Sequence, residues 1–426
     1  MKQTKMMKTP LLKVAVLVLV ASGSLAAHAV DFSYSAFGTI GAAVSDQDYR
    51  YQRFIDSDVG FKRDSVLGAQ VDAQFTPELS ATVQAKVAPS MRNDRHWDLS
   101  ASWAFASWRP NNDWLLRAGK VRIPLYLSSE NMDVGQSYDF ARLPTEMYSI
   151  APTTDVTGLY ITRNWTLPAS ELSMDVYSGQ AKVWIRVASR DTGVGFYDYN
   201  THVSGSVLTW RADDTMLRFG WHHAGTKSID GPQNPQSVTY VPMVPGVGFY
   251  NVSSYTQKIV NDIFTIGFDQ RLPDNWRVML ELERNFQHDT DLGANTAGGY
   301  LALLKTMDRW TPYVAVSKLK TVGAPARLRE AVNQVDPASL VPLVGSAAAA
   351  QIGAGQRQLV DGIPFYDQHS LAIGASYAIT PHSKVKAELL HTWVKRGSVL
   401  VDSPSGGPAV SDQGINVLSL SYNFAF

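Results

Sequence analysis

The chain of 426 residues contains no cysteine. Disulfide scaffolds, zinc knuckles, iron–sulfur ligation and cysteine nucleophiles are therefore excluded. Charge is scarce too. Asp, Glu, Lys and Arg make up 18% of the residues, and 38 bases balance 38 acids, against about 25% charged residues in ordinary soluble domains. Without an excess of Lys and Arg, a chain that wraps nucleic acid is excluded as well. Long hydrophobic runs are missing except for one stretch at the extreme N-terminus, which rules out a helical membrane protein. No Gly-x-Ser-x-Gly elbow, phosphate loop or His-Glu-x-x-His helix is present. No cofactor or metal site is read.

The N-terminal stretch has the layout of a removable export leader. Lys2, Lys5, Lys8 and Lys13 precede an apolar run from Val14 to Val20, and Ala27-His28-Ala29 places small residues where a signal peptidase reads them. Cleavage after Ala29 divides the chain into a leader, 1–29, and one domain, 30–426. Taking the four leader lysines from 38 leaves 34 bases against 38 acids, a net charge of −4. An exported chain without cysteine needs some other source of stability.

Alternation supplies one. Phe32, Tyr34, Ala36, Gly38, Ile40 and Ala42 fall on one face of a strand, with Ser33, Ser35, Thr39 and Gly41 on the other. The same two-residue rhythm returns at Leu67–Phe75, Ala81–Val87, Trp97–Phe105, Leu217–Trp221, Trp276–Leu282 and Leu371–Tyr377, among others. The connections alternate as well. Tight-turn residues stand at Thr76-Pro77, Pro110–Asp113, Pro168, Asp213-Asp214, Pro273–Asn275, Asp308-Arg309 and Thr380-Pro381. Between them lie longer polar stretches near 45–60, 89–96, 122–155, 179–200, 225–257, 286–297, 319–367 and 395–413. Seven turns and eight loops imply sixteen strands. The predicted fold class is all-β: a transmembrane antiparallel β-barrel, long-looped on one rim and short-turned on the other.

In lipid every backbone N–H and C=O needs an internal partner, and a closed barrel provides one. Gln70, Asp72, Gln74, Gln84, Lys86, Asp98, Arg117, Asp175, Arg218, Glu281, Glu283, Lys386 and Glu388 are predicted to face inward, at a density that implies water inside. Trp97, Trp103, Trp114, Trp276, Trp310 and Trp393 stand near strand ends, where an interfacial girdle belongs.

The leader, the sixteen alternating strands and the terminal Tyr422-Asn423-Phe424-Ala425-Phe426 resemble Gram-negative bacterial porins across the whole mature chain. The resemblance implies an outer-membrane location and a water-filled channel for passive diffusion of ions and small polar solutes. It also implies a homotrimer, and a C-terminal signal (Tyr422, Phe424, Phe426) read by the barrel-assembly machinery. In that family the loop after the fifth strand folds inward and narrows the pore. Residues 122–155 look like that loop, with Glu130, Asp133, Asp139, Glu146 and Asp155 as an acidic constriction facing a basic wall of Lys86, Arg117, Lys120, Arg122 and Arg163. For Arg117 and Lys120 both to point inward, a bulge is needed, and Gly119 is the expected place.

Other constellations carry less. His222 and His223 point to opposite strand faces and cannot chelate one metal. Glu281 and Glu283 share a face at a spacing compatible with paired-carboxylate hydrolysis, or with pore lining. Tyr126, Tyr138, Tyr148 and Tyr160 are a candidate stacking track for a sugar or an aromatic acid, which keeps a substrate-specific channel open as the alternative. An outer-membrane enzyme or receptor barrel is the other. The stretch 319–367 is expected to form a short helix or a cover over the mouth. Small residues at Ala36, Gly38 and Ala42 suit close packing between subunits.

Overall fold

The computed structural model describes residues 30–151 and 153–426, so the predicted leader lies outside the described residues. Eighteen strands form, and sixteen of them close into one antiparallel barrel. In chain order these are β1 (Asp31–Ser45), β2 (Val66–Gln74), β3 (Leu79–Pro89), β4 (Trp97–Asn111), β5 (Trp114–Arg122) and β6 (Asp155–Leu167). Next come β7 (Ser170–Ser189), β8 (Gly193–Ala212), β9 (Thr215–Ser228), β12 (Lys258–Leu272), β13 (Trp276–His288) and β14 (Thr296–Lys305). The wall is completed by β15 (Trp310–Thr321), β16 (Tyr366–Thr380), β17 (Ser383–Ser398) and β18 (Gln413–Ala425). β18 pairs back to β1, with Ile40 opposite Tyr422, so no free edge remains.

All seven predicted short turns fall between consecutive strands. Asp213, Asp274, Asn275 and Asp308 occupy left-handed backbone there, a conformation that Asp and Asn tolerate because their side chains bond back to the local backbone. On the opposite rim the loops are long, with one exception. The polar stretch expected as a loop at 179–200 is strand almost throughout. β7 and β8 pair from Glu171↔Arg211 up to Ser189↔Gly193, so this hairpin stands above the barrel. Its upper part mixes Val183, Ile185 and Val187 with Lys182, Arg186, Asp198 and Asn200, so the greasy rhythm of the other strands is interrupted there. A second unforeseen hairpin, β10 (Asn234–Val244) with β11 (Val247–Thr256), fills the loop before β12. The 319–367 stretch folds into α2 (Ala324–Asn333), α3 (Val341–Val344) and α4 (Ser346–Gly362). Gln356 on α4 exchanges two hydrogen bonds with the backbone of Tyr250, which ties the helices to the second hairpin.

The outer face is a continuous apolar belt. Leu99 is 75% exposed, and Ile40, Leu159, Phe219, Ile373, Leu389, Leu418 and Leu420 are exposed with it. Their in-strand neighbours Thr39, Ser370, Glu388, Ser419 and Ser421 are buried inside. A belt of this kind is stable only against lipid or another subunit. Trp97, Trp114, Trp276 and Trp310 are exposed at strand ends as expected. Trp393 shares their outward side and stacks on His369 at 4.9 Å.

Trp103 departs from the expected girdle. The β3–β4 register runs Ala85↔Ala101 and then Gln84↔Trp103, so Ser102 is the extra residue of a bulge. Below it the phase reverses: Trp103 and Phe105 turn inward, and Trp108 takes the lipid side, 52% exposed. Gly119, by contrast, has no register shift. It sits opposite Phe105 at φ 131°, and an added Cβ would strike the Ala104 carbonyl oxygen. Gly119→Ala is expected to destabilise the barrel by roughly 1–3 kcal/mol, read as a lowered unfolding temperature of the detergent-solubilised protein. An unchanged transition would show that the strand relaxes there at no cost.

Candidate functional site

Residues 123–154 leave β5 at the long-loop rim and fold into the barrel. The inward polar residues of the wall are what hold them. Arg218 donates to the carbonyls of Pro124 and Tyr126, each at 3.0 Å. Glu281 accepts from Leu127 N at 2.8 Å and from the hydroxyls of Tyr148 and Tyr300, while Tyr126 donates to Glu283. Lys386 donates to the carbonyls of Gly135 and Phe140 at 2.7 and 2.8 Å. The Tyr313 hydroxyl accepts from Ala141 N and donates to Glu388 at 2.7 Å. Phe140 packs its ring against Tyr300 and Tyr313.

The loop's own charges serve the same end. Arg142 forks onto Asp64, which lies in the loop between β1 and β2, and reaches Ser419 on β18. Asp133 is shared between Lys86 at 2.7 Å and Arg122 at 2.6 Å. Burial pushes the Asp133 carboxyl up, but these two cations outweigh it and hold it well below the usual carboxylate range. Asp139 lies 3.0 Å from Lys384 and accepts from Ser376; burial again opposes and the cation again wins, so it is held low. Short helix α1 (Thr145–Tyr148) carries Glu146, 1% exposed, into a cage of Ser317, Gln368 and Ser370 without any base.

The ten predicted constriction residues thus separate. Lys86, Arg117 and Arg122 face the loop. Glu130 is the one loop acid with an open side chain, 55% exposed and 4.0 Å from Arg117. Asp133, Asp139 and Glu146 are inside the barrel but consumed as anchors, so the five acids do not form a free acidic face. Lys120, Asp155 and Arg163 are corrections. Lys120 is three residues from inward Arg117 with no register shift between them, and it pairs with Asp155 at 2.9 Å rather than with an acid of the infolded loop. Arg163 follows Thr162, which bonds inward Asp175, so it points outward and meets Asp113 at 2.9 Å among Trp114 and Trp165. The four tyrosines do not make a track either. Tyr126 and Tyr148 are used by Glu283 and Glu281, Tyr138 lies under Lys386, and Tyr160 stacks on Tyr177.

Glu281 and Glu283 are 2% and 7% exposed and hydrogen-bonded to loop tyrosines, which makes both of them loop anchors. His222 is buried against the Tyr177 hydroxyl at 2.7 Å, whereas His223 faces outward toward Asp262 at 2.9 Å. Arg142, Asp64, Lys384 and Arg218 were not singled out as loop anchors by sequence. Only the three-dimensional path of the loop brings them to it.

Residues 124–150 make hydrogen bonds to strands from β9 around to β18 and to β3 and β5, but none, among the described residues, to β6, β7 or β8. In and next to these strands the inward positions Gly119, Gly158 and Gly179 stand side by side across β5, β6 and β7. Three adjacent strands therefore present no side chain at that level. One step toward the short turns, Arg117 lies over the Tyr160 ring at 5.4 Å.

A closed sixteen-stranded barrel with an apolar belt and an infolded, wall-anchored loop defines a membrane-spanning barrel of the porin type. No protein-family profile and no curated protein matches the chain. Solved structures do. One is the trimer form of in-vitro folded OmpT, an outer-membrane protein of Vibrio cholerae, at 9% identity and TM-score 0.52, covering 94% of this chain and 100% of that one. The anion-selective porin of Comamonas acidovorans is 11% identical, with TM-score 0.50 over 93% of this chain and 100% of its own. The outer-membrane channel DcaP of Acinetobacter baumannii is 11% identical, with TM-score 0.51 over 93% and 97%. At these identities the likeness is one of fold.

Proposed function

We propose that the protein is a non-enzymatic outer-membrane channel through which ions and small polar solutes diffuse passively. The observation that carries this reading is a closed sixteen-stranded barrel whose infolded loop makes no hydrogen bond, among the described residues, to β6, β7 or β8, where three inward glycines stand beside Glu130 and Arg117. A sixteen-stranded barrel is wide enough to keep an aqueous passage when its loop occupies only part of the section. Planar-bilayer recording tests it: a stable, near-ohmic conductance step supports the channel, and sealed, silent insertions would oppose it. Liposome swelling with sugars of increasing size then gives the cut-off.

The same reading takes the protein as a trimer packed through β1 and its neighbours, where Ala36 and Ala42 allow close approach, while Gly38 is covered by the Phe424 ring and Leu67. Migration at monomer mobility without boiling on a denaturing gel would count against it. It also takes Tyr422, Phe424 and Phe426 as the assembly signal. Tyr422 and Phe426 are exposed on the outer face, and the Phe424 ring lies between them at 6.0 and 5.4 Å. Deleting Phe426 is expected to cut the amount of folded barrel in the outer membrane several-fold while the purified, refolded protein keeps its conductance. Equal loss in both would make the residue structural only.

A further inference from the structure

Above the anchored loop, the long-loop rim holds a cavity of about 660 Å³ that no contact described so far uses. That size suits a small organic solute. Arg50, Lys62 and Arg95 line it, and Phe54, Val194 and Phe196 give it an apolar side. Two carboxylates share the lining, Asp56 and Asp94. Asp94 is already occupied: Arg53 bonds it, and Arg186 Nε reaches it at 3.0 Å while forking onto Asp402. Asp56 lies only within 3.9 Å of Arg50, both side chains being well hydrated. Lys62 Nζ donates to the Asp94 carbonyl, and its charge has no carboxylate partner among the described residues. Arg95 has none either.

The aromatic side of the cavity is already positively clothed. Arg53 stands 4.7 Å from the Phe54 centroid and 5.4 Å from that of Phe196, and Lys62 stands 5.5 Å from Phe54. The bases continue inward. Arg63, next in sequence to Lys62, donates to Ser149 Oγ at 3.2 Å and feels the charges of Arg142, Asp64 and Arg53.

We propose that this mouth cavity captures small carboxylates that carry a flat apolar body, the carboxylate on Arg50, Lys62 and Arg95 and the body against Phe54 and Phe196. A neutral sugar leaves Lys62 and Arg95 without a carboxylate, and inorganic anions leave the apolar side unused. The onward passage of the captured solute rests on the channel reading, whereas its capture does not.

Equilibrium dialysis of benzoate against the full, detergent-solubilised chain tests the capture directly, with benzyl alcohol as the uncharged counterpart. Saturable benzoate binding in the millimolar range, at least tenfold tighter than benzyl alcohol, is expected. The triple variant Arg50→Gln, Lys62→Gln, Arg95→Gln should weaken benzoate at least tenfold, with the unfolding temperature of the barrel confirming that the variant is folded. Equal binding of the two probes, or a folded triple variant that binds like the parent, overturns the proposal. Bilayer recording on the same preparations separates the two claims. Silent membranes with benzoate still bound refute the channel and leave the site, while open channels without benzoate binding do the reverse.

Discussion

Arg142→Ala should widen the conducting step and make it noisy. The guanidinium and Asp64 are a pair whose side chains are 6% and 9% exposed, joined by two hydrogen bonds. Removing one member leaves the other charge buried without its partner, a defect of about 3–5 kcal/mol. The sixteen strands hold their own hydrogen bonds, so the defect is discharged by moving the weaker element, the loop. Single-channel conductance should rise with a broader distribution, and a protease added from the long-loop side should cut within 123–154. Replacing both members, Arg142→Leu with Asp64→Leu, should recover most of the loss, since a well-packed apolar pair can substitute for a buried ion pair. Unchanged conductance and protease resistance in Arg142→Ala would sink the idea that this pair holds the loop.

Acid should act on the same latch. Asp64, Asp133 and Asp139 are each pushed up by burial and pulled further down by cations: Arg142 on the first, Lys86 and Arg122 on the second, Lys384 on the third. A carboxylate lowered on folding contributes stability that is complete above its unfolded value, about 3.9. That contribution is lost as pH falls through the folded value. The contribution of these three carboxylates to holding the loop is therefore complete from neutral pH down to about 4 and is lost below it.

The barrel was legible in the sequence because lipid enforces one rule on every strand, and a two-residue rhythm records it. The seven tight turns were legible through Pro, Asn and Asp for the same local reason. Failures came where that rule lapses. Ser102 adds one residue without a Gly or Pro to announce it and turns Trp103 inward. The β7–β8 hairpin rises beyond the lipid, where nothing forces a greasy side. At the constriction, residue type announced that charges would meet, but not which would be spent. Asp133 and Glu130 look alike in the sequence, and only the fold of the loop puts one between Lys86 and Arg122 and the other into water. Glu281, Glu283 and Glu388 were read as wetted pore lining and are anchors instead, because the loop covers them.

That division decides the selectivity experiment. Asp133 lies between two cations, Asp139 pairs with Lys384 and Glu146 is sealed off, so on the proposed channel reading Glu130 is the loop acid left to face a passing ion, with Arg117 beside it. A unit charge about 7 Å from the ion path in water-like surroundings is worth about 0.6 kcal/mol, or roughly threefold in ion occupancy, and somewhat less at high salt. Glu130→Gln should therefore lower the cation-to-anion permeability ratio by about two- to threefold, read from the reversal potential across a salt gradient. Arg117→Gln should move it the opposite way by a similar factor. Asp133→Asn behaves differently in kind: it frees Lys86 and Arg122, so its first effect is a loosened loop and a less stable barrel, with any change of selectivity following from the wider opening. If Glu130→Gln leaves the reversal potential where it was while Asp133→Asn shifts it at constant conductance, the ion path runs on the other side of the loop.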